Sequence, residues 1–419
     1  MSVSYYKNQL ITNLADSTKI NYKAYYKNYE LFGANTDTGD TPTPPQPSHD
    51  YSQDYFTIVA KSNGTIKISP TVNEVWHEGE FYDCSYEDEE TGEWIEEWCQ
   101  DEGYYVTSYS DVWYFTGGTD WIGTEGETTI NVSSGDTVMV KCKLSDCVVD
   151  NGDGTWSAYD RPCLFTGSTA SFDVQGNIMS LLWGDDFRGE TSLTYTYTYI
   201  EYDPDTWDPI DEEGSQDAKF NGLFGGTSVV DASNLVLPAT EMTSEGYRQM
   251  FENCTSLTTA PELPATSLYI WCYYAMFKGC TSLTTAPSAL PSTNLFGQCY
   301  GSMFEGCTSL TTVPFTLSAS TVNSDAYQSM FKGCTSLTTA PDILATTMQR
   351  NACHFMFNGC TNLNYIKAMF TTTPSTAYTQ NWVSGVAASG TFVKNSAATW
   401  NVRGNNGIPT NWTVQTASS

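Results

Sequence analysis

The chain has 419 residues, with 18 Lys and Arg against 48 Asp and Glu, a formal net charge of −30. The charge is concentrated: residues 41–219 hold 36 acidic and 7 basic side chains (net −29), and residues 220–419 hold 8 and 7 (net −1). Such a field repels polyanions and argues against nucleic acid and anionic membranes as partners, and no apolar run is long enough to span a bilayer.

The first residues, Met-Ser-Val-Ser-Tyr-Tyr-Lys-Asn-Gln-Leu, contain neither an apolar core of signal-peptide length nor a lipidated cysteine, so export by the usual route is not expected. Tyr22, Tyr25, Tyr26, Tyr29 and Phe32 fall at i, i+3, i+4, i+7 and i+10, an aromatic stripe on a helix too short to form a core alone. Two readings stand. The helix packs back on its own chain, or residues 1–40 are an anchor that docks on a larger assembly or on other copies of itself. Residues 41–50, with Thr41-Pro-Thr-Pro-Pro-Gln-Pro-Ser, form a stiff polyproline spacer that favours the anchor.

Residues 51–219 read as an acidic, all-β, sandwich-like domain. Short strand-like runs occur at Tyr55-Phe-Thr-Ile-Val, Thr65-Ile-Lys-Ile-Ser, Val112-Trp-Tyr-Phe, Thr129-Ile-Asn-Val-Ser, Thr137-Val-Met-Val-Lys and Ser171-Phe-Asp-Val. Turn signals such as Ser62-Asn-Gly and Asp150-Asn-Gly-Asp-Gly separate them. Trp94, Trp98, Trp113 and Trp121 either fill this core or stack on sugars.

Residues 220–366 are a repeat array. Met250-Phe-Glu-Asn-Cys-Thr-Ser-Leu-Thr-Thr-Ala-Pro recurs from Met276, Met303, Met330 and Met356, and the spacings from Leu223 onward are 27, 26, 27, 27 and 26 residues. That period lies in the leucine-rich-repeat window. Leu257, Ala260 and Leu263 predict a short strand, and Leu268, Cys272, Met276 and Cys280, four residues apart, predict a helix lying against it. Neither face is buried within one unit, so Phe224, Phe251, Phe277, Phe304, Phe331 and Phe357 are expected to stack as an internal ladder. Thr258, Thr284, Thr311 and Thr338 form an exposed column, either a binding face for a glycan or other extended ligand, or plain tiling of a β surface.

The motif Met-Phe-x-Gly-Cys-Thr-Ser-Leu-Thr-Thr-Ala-Pro, with Cys272-Tyr273 or Cys299-Tyr300 upstream, resembles the BspA-type leucine-rich repeats of Bacteroides-type bacteria and their phages. Gly390-Thr-Phe-Val-Lys and Ile408-Pro-Thr-Asn-Trp-Thr-Val resemble the closing strands of such arrays, making residues 367–419 a C-terminal β cap. The expected fold is therefore a mixed α/β solenoid, strand plus helix per unit, following an all-β sandwich-like domain and an N-terminal helical anchor.

Thirteen cysteines invite a disulfide or metal reading. Cys254, Cys280, Cys307, Cys334 and Cys360 share one repeat position, which makes them small buried hydrophobes. Cys84 and Cys99 flank an acidic run and are candidates to close a loop. No Cys-x-x-Cys pair supports zinc, and no cofactor is expected. His49, His77 and His354 lie in no nucleophile motif, and carboxylate pairs such as Glu96-Glu97 are uninformative in so acidic a segment, so an enzyme is not expected.

The resemblance, with the missing export signal, implies a phage virion protein assembled in the host cytoplasm: a head fibre or capsid decoration held to capsid or tail proteins by residues 1–40. An aromatic stripe beside a stalk suits a homotrimer, and the repeat domain would meet a bacterial surface glycan or protein. A tail fibre and a bacterial BspA-type adhesin are the alternatives.

Overall fold

In the computed structural model the described residues are 50–417, apart from 78–80, 84–85, 88–93, 96–97, 101–103, 125, 151–155 and 203–208. The expected anchor helix with Tyr22, Tyr25, Tyr26, Tyr29 and Phe32, the spacer up to residue 49, and Cys84 of the suggested Cys84–Cys99 pair lie outside them.

All six strand-like runs of the acidic segment lie in strands. β1 (Thr57–Ala60), β2 (Val112–Phe115), β3 (Ile122–Gly123), β4 (Thr137–Cys142) and β5 (Phe172–Asn177) join β6 (Asn234–Val236) in one sheet of order β3-β2-β4-β1-β5-β6. A second sheet pairs Gly64–Pro70 with Thr128–Val132 and Cys163–Leu164. Alternation decides the faces: Ile66 and Ile68 are fully buried while Lys67 and Ser69, alternating with them, reach toward water. Two long hairpins complete this region, Val72–His77 with Tyr104–Tyr109 and Thr194–Tyr202 with Pro209–Asp217. The one α-helix among the described residues, α1, is the four-residue Ser180–Trp183.

Backbone pairing runs straight through into the repeats. β5 pairs in parallel with β6, and Val174 N–H donates to Asp231 O at 2.9 Å. The cores are also continuous: Phe56 and Phe165 meet Phe224, the first ring of the ladder, at 5.8 and 5.6 Å, and Phe224 stacks on Phe251 at 5.0 Å. Residues 50–419 form one compact unit.

The expected helix of each repeat does not form, and the array is a β-solenoid. Where period four predicted helical turns, every fourth residue instead has positive φ: Glu245, Gln249 and Asn253 (63°, 54°, 61°), then Trp271, Ala275 and Gly279 (57°, 53°, 75°), and so on through Phe355 and Gly359. Alternate amides close four-residue turns, as Arg248 N–H to Glu245 O (3.0 Å) and Glu252 N–H to Gln249 O (3.0 Å). The amides between them leave the rung: Tyr247 bonds Cys272 O (2.9 Å), Gln249 bonds Tyr274 O (2.9 Å) and Phe251 bonds Met276 O (2.9 Å). An α-helix would spend every amide within itself; here half of them tie one rung to the next, and the left-handed torsions are the cost. The Leu-Thr-Thr-Ala segment, expected as a strand, contributes single parallel bridges such as Asp231 to Thr259 and Thr259 to Thr285.

The phenylalanine ladder continues at 5.6, 5.5, 5.4 and 5.7 Å as far as Phe357. Beside it, each cysteine of the Cys254 column donates its S–H to the phenylalanine carbonyl of the rung before: Cys254 to Phe224 (3.0 Å), Cys280 to Phe251 (3.1 Å), Cys307 to Phe277 (3.1 Å), Cys334 to Phe304 (3.0 Å) and Cys360 to Phe331 (3.0 Å). The far end is closed by three parallel strands, Tyr365–Ala368, Thr391–Lys394 and Thr413–Thr416. Trp382 covers Phe357 at 6.1 Å, and the indole N–H groups of Trp382, Trp400 and Trp412 donate to backbone carbonyls of Gly407, Phe370 and Ala387.

Candidate functional site

A solenoid offers function only what its turns point outward. The threonine column is one such face, and most of its hydroxyl donors are used internally. Thr258 Oγ1 donates to Val230 O (2.9 Å), Thr284 Oγ1 to Thr258 O (3.2 Å) and Thr338 Oγ1 to Thr311 O (3.3 Å), each beside the backbone amide that bonds the same carbonyl. Thr311 is exposed. The column thus brings Thr258 next to Thr284 and Thr311 next to Thr338, and these hydroxyls act chiefly as rung-to-rung ties.

The more distinctive face is the edge carrying the first positive-φ residue of each rung. Four of the five occupants are polar: Glu245, Gln298, Asp325 and Asn351, of which Asn and Asp tolerate the left-handed region best. The fifth is Trp271, with φ 57° and 39 % of its surface exposed. A large aromatic residue held in that conformation and turned to solvent is a genuine outlier, the kind that accompanies function.

Around Trp271 the edge is organised. Tyr269, 50 % exposed, stacks on Phe296 of the next rung at 5.4 Å. Trp271 Nε1 donates to Gln298 Oε1 at 3.1 Å. On the other side, the Arg248 guanidinium lies 5.7 Å from the Trp271 ring and 5.6 Å from the Tyr274 ring, and Arg248 Nη1 donates to Glu245 Oε1 at 2.8 Å. Three rungs therefore combine exposed rings with a cation, a carboxylate and an amide, a mixture suited to amphipathic ligands. Sequence reasoning missed this edge, although aligning Trp271 with Glu245, Gln298 and Asp325 exposes the exception.

The remaining candidates have structural duties. His354 is buried, with Nε2 2.9 Å from Thr376 O. All eight repeat cysteines are buried free thiols, and burial pushes those of Cys254, Cys299 and Cys360 up to about 12. Among the described residues no group of three or more Cys, His, Asp or Glu side chains converges as metal ligands would, and no helix is long and apolar enough to cross a membrane. Of the four tryptophans singled out in the acidic segment, Trp113, on β2 beside the edge strand, is exposed, and Trp121, just before edge strand β3, is partly exposed. Comparison of the chain with protein-family models, with characterised proteins and with solved structures returns no match.

Proposed function

We propose that this chain is a non-enzymatic phage structural protein, a head fibre or capsid decoration, whose solenoid carries a binding edge for a host-surface glycan or protein. The observation that carries the binding role is Trp271, exposed and strained within an ordered aromatic row. The rod supports it: a core continuous from Phe56 to Trp382 and closed at both ends makes a rigid mount whose surface chemistry is free to vary. Attachment through residues 1–40, with three chains wrapped together, and residence on the virion surface complete the reading.

Two measurements test it. Antibody labelling of purified phage particles should place the protein on heads; label on tails would make it a tail fibre, and unlabelled particles would point to a bacterial adhesin. In a binding assay on host cells, the double change Tyr269→Ala and Trp271→Ala should reduce retention at least tenfold without altering the circular dichroism spectrum. Unchanged retention would remove the binding role from this edge.

A further inference from the structure

On the acidic domain, well separated in sequence from the solenoid edge, Asp111, Trp113, Trp121, Lys141, Cys142, Lys143, Gly184 and Asp185 line an open cleft of about 290 Å3. This lies at the small end of the range for ligand sites, of a size to hold one or two rings. We infer that the cleft is a binding site for a neutral saccharide, with the Trp113 indole as its stacking platform and Asp111, Asp185, Lys141 and Lys143 as its hydroxyl partners.

The platform is built by a glycine. A Cβ at Gly123 of β3 would stand 3.4 to 3.5 Å from Cζ3, Cε3 and Cη2 of Trp113, so the indole lies flat against that backbone. One ring face is thereby backed by the edge strand, and the residue remains 37 % exposed. An indole fixed this way offers a negative π face to the polarised C–H groups of a sugar ring at little entropic cost. Trp121 is held next to it by Tyr55 (5.0 Å, edge-on) and Phe115 (5.8 Å), with Lys141 Nζ 4.5 Å from its ring centre.

The polar groups are fixed before any ligand arrives. Lys141 Nζ lies 2.7 and 2.8 Å from the two carboxylate oxygens of Asp185, and the Tyr55 hydroxyl donates to Asp185 Oδ1 at 2.5 Å. Burial and this hydrogen bond raise Tyr55 to about 12, so its proton stays on the phenol and the carboxylate stays an acceptor. The lining charges cancel, two carboxylates against two ammonium groups. Outside the cleft the domain is strongly negative, which disfavours acidic sugars and phosphate and selects an uncharged, hydroxyl-rich ligand.

Isothermal titration of the full chain with neutral oligosaccharides of glucose, mannose, galactose and N-acetylglucosamine, alongside sialyllactose, tests this. Saturable binding of at least one neutral sugar is expected. Trp113→Ala should weaken it about tenfold, equivalent to about 1.4 kcal/mol, with an unchanged unfolding midpoint, while Trp271→Ala on the solenoid edge leaves it intact. Should Trp113→Ala not fold, the double change Asp111→Asn and Lys143→Gln carries the test, and undiminished affinity in that variant overturns the assignment. So does the absence of heat with every neutral sugar, full affinity in a folded Trp113→Ala protein, or tighter binding of sialyllactose than of any neutral sugar. Because the two surfaces share no residues, failure here leaves the solenoid edge standing, and failure there leaves this cleft.

Discussion

Gly333 shows how much of the solenoid rests on torsion alone. Its φ is 74°, and an added Cβ would meet only Gly306 Cα and N at 3.8 Å, an ordinary contact. Gly333→Ala should therefore cost about 1–2 kcal/mol through backbone strain without any clash, read as a lower urea midpoint. Gly333→Asn should cost less, because Asn253 already occupies the equivalent place at 61°. Gly279→Ala should cost more than either, since its Cβ would run into Asn253 Oδ1 and push that side chain from its place. These same residues explain the misread helix. Apolar side chains four apart suit an α-helix and a string of four-residue turns equally well, and the two differ in the sign of φ at every fourth position. The last of those positions, Gly or Asn, announces that sign in each rung, as do Asp325 and Asn351 at the first; Glu245, Ala275 and Ser302 do not.

At the scale of the rung, the columns decide behaviour. Cysteine is more than a filler here, because each thiol in the Cys254 column is both fully buried and a donor to the neighbouring rung. The sequence made the burial legible through the repeat, but not the S–H bond, which depends on rung geometry. Burial holds these protons far above the ordinary thiol range, up to about 12 for Cys254 and Cys360, and does the same for the buried Tyr273 and Tyr300 phenols. The folded state thus keeps protons that the unfolded chain releases from about pH 9. The thiol contribution should be level from pH 7 to about 9 and fall as pH rises from 9 toward 12, by about 1.4 kcal/mol per unit for each such thiol. Thermal unfolding midpoints across pH 7–11 check this; a level profile through pH 10.5 would show that the thiols ionise freely in the fold. Six of the strands of the acidic domain were readable from strand-like runs, whereas the long hairpins and the cleft were not: whether Trp113 faces core or solvent depends on the register of β2 against β3 and β4.

For the molecule as a whole, the acidic domain and the cap do the same job at opposite ends. The first ring of the ladder is covered by Phe165 and the last by Trp382. Deleting residues 367–419 bares Phe357 together with the outgoing backbone bonds of the last rung, such as Phe357 N–H to Trp382 O and Gly359 N–H to Ser384 O. The truncated protein should self-associate end to end, seen by light scattering after size exclusion; a monomer of normal stability would show that the last rung needs no cover. That an array of repeats follows a β-rich segment was evident from the repeats and the strand-like runs, and the shared core across residue 220 was not, because nothing in composition reveals that Phe165 stacks on Phe224.

Rung-to-rung bonding has a mechanical meaning. The amides of Phe251, Phe277 and Phe304 each cross to the adjoining rung, so a pull along the rod loads those bonds one layer at a time instead of all together. A layer occupies only 5.0 to 5.7 Å of stack between successive phenylalanine rings. Peeled free, its roughly 27 residues release about 90 Å of chain. Under tension the rod is a spool, paying out length in steps while the layers behind the break hold their shape.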